Sequence, residues 1–182
     1  MASTGEVASF GTDIHEAYWA SLLSTNGFRV PQAGSGVLIG GDVHSPQMAS
    51  VAKGLAELGF KLFCSSTEVE AYLNENQIAK VERIFFPLKD KRKLRTVFEE
   101  HDIQSVINLA KARGRDTVDE DYVARRNAVD FGIPLINNPK LAQLWVEALA
   151  KKIPKGGLER YVEGRIPSEV RPWSDFMGGA HP

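Results

Sequence analysis

GVLIGGDVHSPQMASVAKGLAELGFKLFCSST, from Gly36 to Thr67, reads as a strand, a helix and a second strand that ends in a hydroxyl-rich turn. Val37, Leu38 and Ile39 form a short apolar run stopped by the pair Gly40 and Gly41, as a buried strand is. Ser45 is placed to cap the first free amides of a helix, Pro46 suits its first turn, and Met48, Val51, Ala52, Leu55 and Leu58 recur on one helical face. Gly59 ends that helix. Lys61 to Cys64 is the second strand, and Ser65, Ser66 and Thr67 lie where its carboxyl end meets the next helix, beginning near Glu68. In open α/β sheets that end of a strand faces ligands.

The same alternation continues outward. Val81 to Phe86 predicts a third strand, Lys91 to Glu100 a helix, Ser105 to Leu109 a fourth strand, Glu120 to Phe131 a helix and Pro134 to Ile136 a fifth strand. A last helix starts at Asn138 and Pro139 and carries Leu141, Leu144, Trp145, Ala148 and Leu149 at helical spacing. Strands separated by helices in this way predict a parallel sheet covered on both faces. The expected fold is therefore one α/β, Rossmann-like, three-layer domain with a five-stranded parallel sheet.

Two flanks stand apart. Residues 12 to 25 predict an amphipathic helix with Ile14, Ala17, Tyr18 and Leu22 on one side, and Gly27, Pro31, Gly34 and Gly36 follow as a linker. Pro154, Gly156, Gly157, Pro167, Pro172, Gly178 and Gly179 mark an irregular tail in which Trp173 and Phe176 are possible anchors. The expected division is 1–33 as a linking helix and linker, 34–152 as the domain, and 153–182 as the tail.

Composition narrows the function classes. The 182 residues are 43% hydrophobic, enough for one ordinary core, and the formal net charge of −1 supplies no basic field for nucleic acid. The single cysteine, Cys64, cannot form an intrachain disulfide, and the four histidines show no zinc spacing. No apolar run nears the roughly 20 residues a membrane span needs, and Met1 to Phe10 has neither the basic start nor the apolar core of a secretion signal.

A parallel sheet brings the carboxyl ends of all five strands to one edge. Strand one contributes Gly40, Gly41, Asp42 and His44; strand two Ser65, Ser66 and Thr67; strand three Phe86 and Lys89; strand four Asn108 and Lys111; strand five Asn137 and Asn138. Hydroxyls and free amides at a helix start suit a phosphate or carboxylate, because unpaired donors and the positive dipole end point the same way. Two readings stay open: the hydroxyl run binds such an anion, or it caps the next helix. Asp42 with His44 is either an acid/base pair or a surface turn. Lys111, Arg113 and Arg115 would overhang the strand ends, whereas Lys89, Lys91, Arg92, Lys93 and Arg95 fit a solvated helix face. Arg125 and Arg126 either reach a neighbour or pair with Asp119 and Asp121, the pairing being the plainer reading. Neither a Walker-type loop nor a dinucleotide fingerprint is present.

Ser105 to Asn108 (SVIN), Tyr122 to Arg126 (YVARR), Ala128 to Leu135 (AVDFGIPL) and Leu58 to Phe63 (LGFKLF) together match a known pattern. The chain resembles the methylglyoxal synthase-like domain at the carboxyl end of carbamoyl-phosphate synthase large chains. Its opening, STGEVASFGTDIHEAYWASL from Ser3 to Leu22, looks like the last part of the synthetase's second ATP-grasp half. The ending IPSEVRPWSDFMG, from Ile166 to Gly178, is similar to the fungal arginine-pathway enzymes.

The resemblance implies a regulatory domain that is not itself catalytic, with catalysis, ATP and a divalent cation belonging to the parent ligase. It implies no cofactor in this segment, and as partners the rest of the large chain and a glutamine amidotransferase small chain. The compartment would be the mitochondrial matrix or the cytoplasm. The strand edge would hold a nucleotide, N-acetylglutamate or amino-acid effector, through Ser65, Ser66, Thr67, Phe86, Asn108 and Lys111. Phe86 falls where acetylglutamate-responsive enzymes have a tryptophan, and Lys111 and Asp121 replace asparagines of that type. Nucleotide-regulated relatives have a phosphate-binding lysine around His44 and Ser45 and a threonine where Ala110 stands. Two other functions remain as alternatives: a methylglyoxal synthase-type lyase using Asp42, and a structural or oligomerisation domain that binds nothing small.

Overall fold

A computed structural model describes residues 7–25, 27–87, 89–109 and 120–153. In β1 (Gly36–Gly41) the side chains alternate, Val37 and Ile39 to one face and Leu38 to the other, and both faces are buried. That double burial is why the strand reads as a continuous apolar run. The chain continues through α2 (Pro46–Glu57), β2 (Lys61–Cys64), α3 (Thr67–Glu75), β3 (Val81–Arg83), α4 (Lys91–Glu100), β4 (Ile103–Leu109), α5 (Glu120–Phe131), β5 (Leu135–Ile136) and α6 (Pro139–Lys152). All pairings are parallel, and the strand order is β3-β2-β1-β4-β5.

The order fixes two layers around the sheet. One core lies between the sheet and α2, α3 and α6, and contains Ile39, Met48, Leu55, Leu73, Ile107 and Trp145. The opposite core, under α4 and α5, contains Leu38, Phe63, Leu94, Phe98, Val106 and Ala128. The two clusters together are the parallel α/β sandwich that the alternation predicts.

Element boundaries differ from expectation where the sheet partner runs out. β3 ends at Arg83 because β2 ends at Cys64, whose carbonyl accepts the last bridging bond, from the Ile84 amide at 2.8 Å. β4 begins two residues earlier than the apolar run suggests, at Ile103. Helix α2 stops as expected at Gly59, whose φ of +85° is the left-handed conformation that a side chain disfavours, while Phe60 donates back to the Leu55 carbonyl at 3.1 Å. Ser45 precedes α2 but does not cap it with its side chain; its hydroxyl bonds Gln47 Oε1 at 2.9 Å instead.

Helix α1 (Ile14–Ser24) lies on α6, and its anchor is Trp19, completely buried in the first core with Tyr18, Leu22 and Leu23 packed beside it. Ile14, expected on the inner stripe, is 65% exposed. The helix carries apolar residues around much of its circumference, so periodicity alone chose the wrong edge of the stripe. Polar contacts fix the seat: Lys151 donates to Asp13 at 2.7 Å and to His15 Nδ1 at 2.9 Å, and His15 Nε2 lies 2.9 Å from Glu147. With Lys151 donating to Nδ1, the ring donates through Nε2 to the carboxylate. The Lys151 hydrogen bond holds the Asp13 carboxyl down to about 2, and the His15 bond lowers that of Glu147. Ile153, at the end of α6, packs against the first core, and the rest of the expected tail lies outside the described residues.

Candidate functional site

The strand order reverses between β1 and β4, so the crevice outside their carboxyl ends is where an open α/β sheet takes a ligand. Asn108 stands on the floor of that crevice. It is the penultimate residue of β4, pairs in register with Gly40 of β1, and is 2% exposed. Its neighbours Ile107 and Leu109 face α2 and α6, so the alternation of the strand turns Asn108 towards α5.

Helix α5 answers with two charges one turn apart. Asn108 Nδ2 donates to Asp121 Oδ1 at 2.8 Å, and Arg125 Nη1 donates to Asn108 Oδ1 at 2.7 Å. The chemistry of these partners fixes the orientation of the amide, nitrogen to the carboxylate and oxygen to the guanidinium. A β-carbon on Gly40 would meet Asn108 Nδ2 at 2.8 Å and Asp121 Oδ1 at 2.9 Å, closer than side chains tolerate. The glycine is thus required by what lies across it.

Arg126 points away and pairs with Asp130 at 3.3 Å, where Lys91 also donates at 2.7 Å; these bonds hold the Asp130 carboxyl below its usual range. Arg125 thus reaches inward to Asn108 and Arg126 outward to Asp130, and neither is seen on Asp121. Asp119 lies outside the described residues.

The hydroxyl turn divides its work. Ser66 caps α3, its hydroxyl accepting from the Val69 amide at 3.5 Å, and its carbonyl accepts from Cys64 Sγ at 3.4 Å. Thr67 Oγ1 accepts from Arg83 Nη1 at 3.3 Å, and Arg83 also pairs with Glu70 at 3.2 Å. Ser65, which precedes them in the turn, is half-buried. Burial, then the Glu70 carboxylate, pushes the Cys64 thiol up to about 12, which keeps it protonated and unreactive at neutral pH.

Asp42 and His44 form a turn. The His44 amide donates to Asp42 Oδ1 at 3.1 Å, the Ser45 amide to the Asp42 carbonyl at 3.2 Å, and the imidazole, 75% exposed, reaches Glu68 at 3.8 Å. Phe86, expected at the ligand edge, turns inward beside Phe98 and is 7% exposed, because the alternation that runs on past β3 sends residue 85 out and residue 86 in. Phe85 is the aromatic that faces solvent there, at 80% exposure. Asn138 caps α6, accepting from the Lys140 and Leu141 amides at 3.0 and 3.1 Å. Lys111, with Ala110, Arg113 and Arg115, lies outside the described residues. Among the described residues no group of three or more His, Cys, Asp or Glu is arranged to hold a metal ion.

The structure thus brings Asn108, Asp121 and Arg125 together over Gly40, and sets Ser65, Ser66 and Thr67 at the neighbouring strand end. Sequence reasoning found the second group and Asn108, and missed Arg125. The signal was present as an Asp and an Arg four apart in the first turns of the helix that follows a strand-end asparagine.

A family model described as the MGS-like domain matches residues 47–137, a stretch from the start of α2 to the end of β5. The chain belongs to the MGS-like domain family. Among its relatives, the carbamoyl phosphate synthase arginine-specific large chain of Cutaneotrichosporon cutaneum is 57% identical over 99% of this chain and 15% of its own length. The mitochondrial arginine-specific large chain of Neurospora crassa is 49% identical over 98% of this chain and 15% of its own. The human mitochondrial carbamoyl-phosphate synthase [ammonia] is 38% identical over 83% of this chain and 10% of its own. This MGS-like domain, with its flanks, spans about 15% of the length of the arginine-specific chains it matches.

Proposed function

We propose that this chain is the regulatory domain at the carboxyl end of a glutamine-hydrolysing, ATP-dependent carbamoyl-phosphate synthase that serves arginine synthesis. The observation that carries the proposal is the 57% identity to an arginine-specific large chain along 99% of this chain, flanks included. Catalysis then belongs to the rest of the large chain, with ATP, a divalent cation and a glutamine amidotransferase small chain. Two of the arginine-specific relatives are named mitochondrial, which supports that compartment for the parent.

The effector seat we propose is the carboxyl edge of β1, β2 and β4, with Ser65, Ser66, Thr67 and Asn108 on it; Lys111, a further proposed contact, lies outside the described residues, and Phe86 belongs to the second core. Free amides at the start of α3 and the hydroxyls beside them suit an anionic small molecule. Such a molecule would act by binding one state of the whole synthetase more tightly than another. The geometry does not favour a lyase. General acid/base chemistry needs a carboxylate beside the bound phosphate, whereas Asp42 serves the turn at His44.

Calorimetric titration of the chain with uridine and inosine monophosphates and N-acetylglutamate tests this proposal. The expected result is binding that Thr67→Ala weakens by about tenfold, the effect of one lost hydrogen bond to an anion. Turnover of dihydroxyacetone phosphate to methylglyoxal, lost in Asp42→Ala, would overturn the proposal in favour of the lyase. Absence of both binding and turnover would favour a purely structural domain.

A further inference from the structure

A second concave site lies at the other end of the sheet, where α4 and α5 finish and β4 begins, and encloses about 220 Å³. Phe98 and Ile103, both buried, form its apolar floor with the half-buried Phe131 and Ile133. Arg95, Glu99 and Asp102 stand exposed on its rim. An apolar floor with a few convergent polar groups is the usual form of a small-molecule site. The rim charges are not spent on one another. Arg95 precedes Glu99 by one turn of α4, yet no ion pair joins them; the Arg95 guanidinium lies instead over the Phe131 ring, 5.0 Å from its centroid, which holds it beside the floor. Asp102 takes the left-handed position after the helix, at φ +47°, where glycine is usual. Its amide donates to the Glu99 carbonyl at 3.1 Å and its carbonyl accepts from the Gly36 amide at 2.8 Å, so the backbone pins its carboxylate to the rim.

We infer that this groove binds a free α-amino acid with an apolar side chain, its carboxylate on Arg95, its ammonium on Glu99 and Asp102, and its side chain on Phe98, Ile103 and Phe131. Two opposite charges on one α-carbon need a cation and an anion next to each other on the protein, and positions four apart on a helix supply them. The planar guanidinium matches a carboxylate through two parallel bonds, and each rim carboxylate accepts from an ammonium. One oxygen of Asp102 already accepts from Gln104 Nε2 at 2.9 Å, which orients the group without neutralising it. Because the rim is solvated, each charge contributes modestly and the affinity is millimolar. None of these residues lies on the carboxyl edge of the sheet, so the inference stands apart from the effector reading.

The test is titration of the 182-residue chain with leucine, leucine amide and N-acetylleucine, followed by the nuclear magnetic resonance signals of the Ile103 and Ile133 methyl groups. Leucine is expected to shift both signals to saturation, and the two capped forms, each lacking one charge, to bind roughly tenfold more weakly. Arg95→Gln is expected to abolish the preference for leucine over its amide. Glu99→Gln combined with Asp102→Asn, which keeps a residue tolerant of the left-handed backbone, is expected to abolish the preference over N-acetylleucine. No saturable shift with leucine, equal binding of all three compounds, or preferences that survive in both variants would overturn the inference. Should the variants fail to fold, the three compounds on the wild type decide it.

Discussion

Gly40 shows how much of the site hangs on one missing methyl group. A β-carbon there would lie 2.8 Å from Asn108 Nδ2 and 2.9 Å from Asp121 Oδ1, and these two atoms are bonded to each other, so neither retreats alone without straining that bond. Gly40→Ala is expected to destabilise the chain by about 1–3 kcal/mol, the usual cost of overpacking, as read from the midpoint of urea unfolding. An unchanged midpoint would mean that the amide and carboxylate are not fixed across the strand end. Asn108 itself was legible in the sequence, as a polar residue closing an apolar strand. Its partners were not, because which turn of α5 lies over it depends on how the helix is rotated on the sheet, and Tyr122 to Arg126 offers two arginines in succession. The hydroxyl run was legible as a choice between cap and ligand, and the structure gives Ser66 the cap and Thr67 the bond to Arg83.

Among the elements, α1 departs furthest from its sequence pattern. The apolar stripe pointed to Ile14, Ala17, Tyr18 and Leu22, whereas the helix is anchored by Trp19, which periodicity did not single out because apolar residues surround it. Truncating a buried tryptophan costs about 3–5 kcal/mol, so Trp19→Ala is expected to lower stability by that amount in denaturant unfolding. A near-zero effect would mean that α1 does not contribute to the core. The polar latch gives a second, pH-dependent readout. Asp13 is lowered to about 2 by Lys151, and Glu147 is lowered by His15. A carboxyl group depressed on folding stabilises the fold above its unfolded value, near 4 for aspartate, and loses that contribution as pH falls through the folded value. The α1–α6 contact is therefore expected to loosen between about pH 4 and pH 2, and Lys151→Ala should flatten that dependence, as followed by tryptophan fluorescence. An identical acid profile in Lys151→Ala would contradict the latch. Strands β1, β2 and β4 were legible because buried parallel strands are uniformly apolar; β3 was read too long because its end is set by where β2 stops, which no local pattern records.

At the scale of the whole molecule, the strand order decides where chemistry can occur. Reversal between β1 and β4 puts Gly40, Asn108 and the start of α5 at one point and the hydroxyl turn of β2 at the next. Alternation of strands and helices was enough to foresee a parallel sheet, but the order of its strands, and so the crevice, came only with the structure. The central claim, that this edge is the effector seat of an arginine-type carbamoyl-phosphate synthase, is tested most directly in the parent enzyme. The measurement is the rate of carbamoyl phosphate formation against N-acetylglutamate or uridine monophosphate concentration, for the wild type and for Thr67→Ala in this segment. The account predicts that the variant needs roughly tenfold more effector than the wild type for the same response. Superimposable curves, or no response from either enzyme, would contradict it.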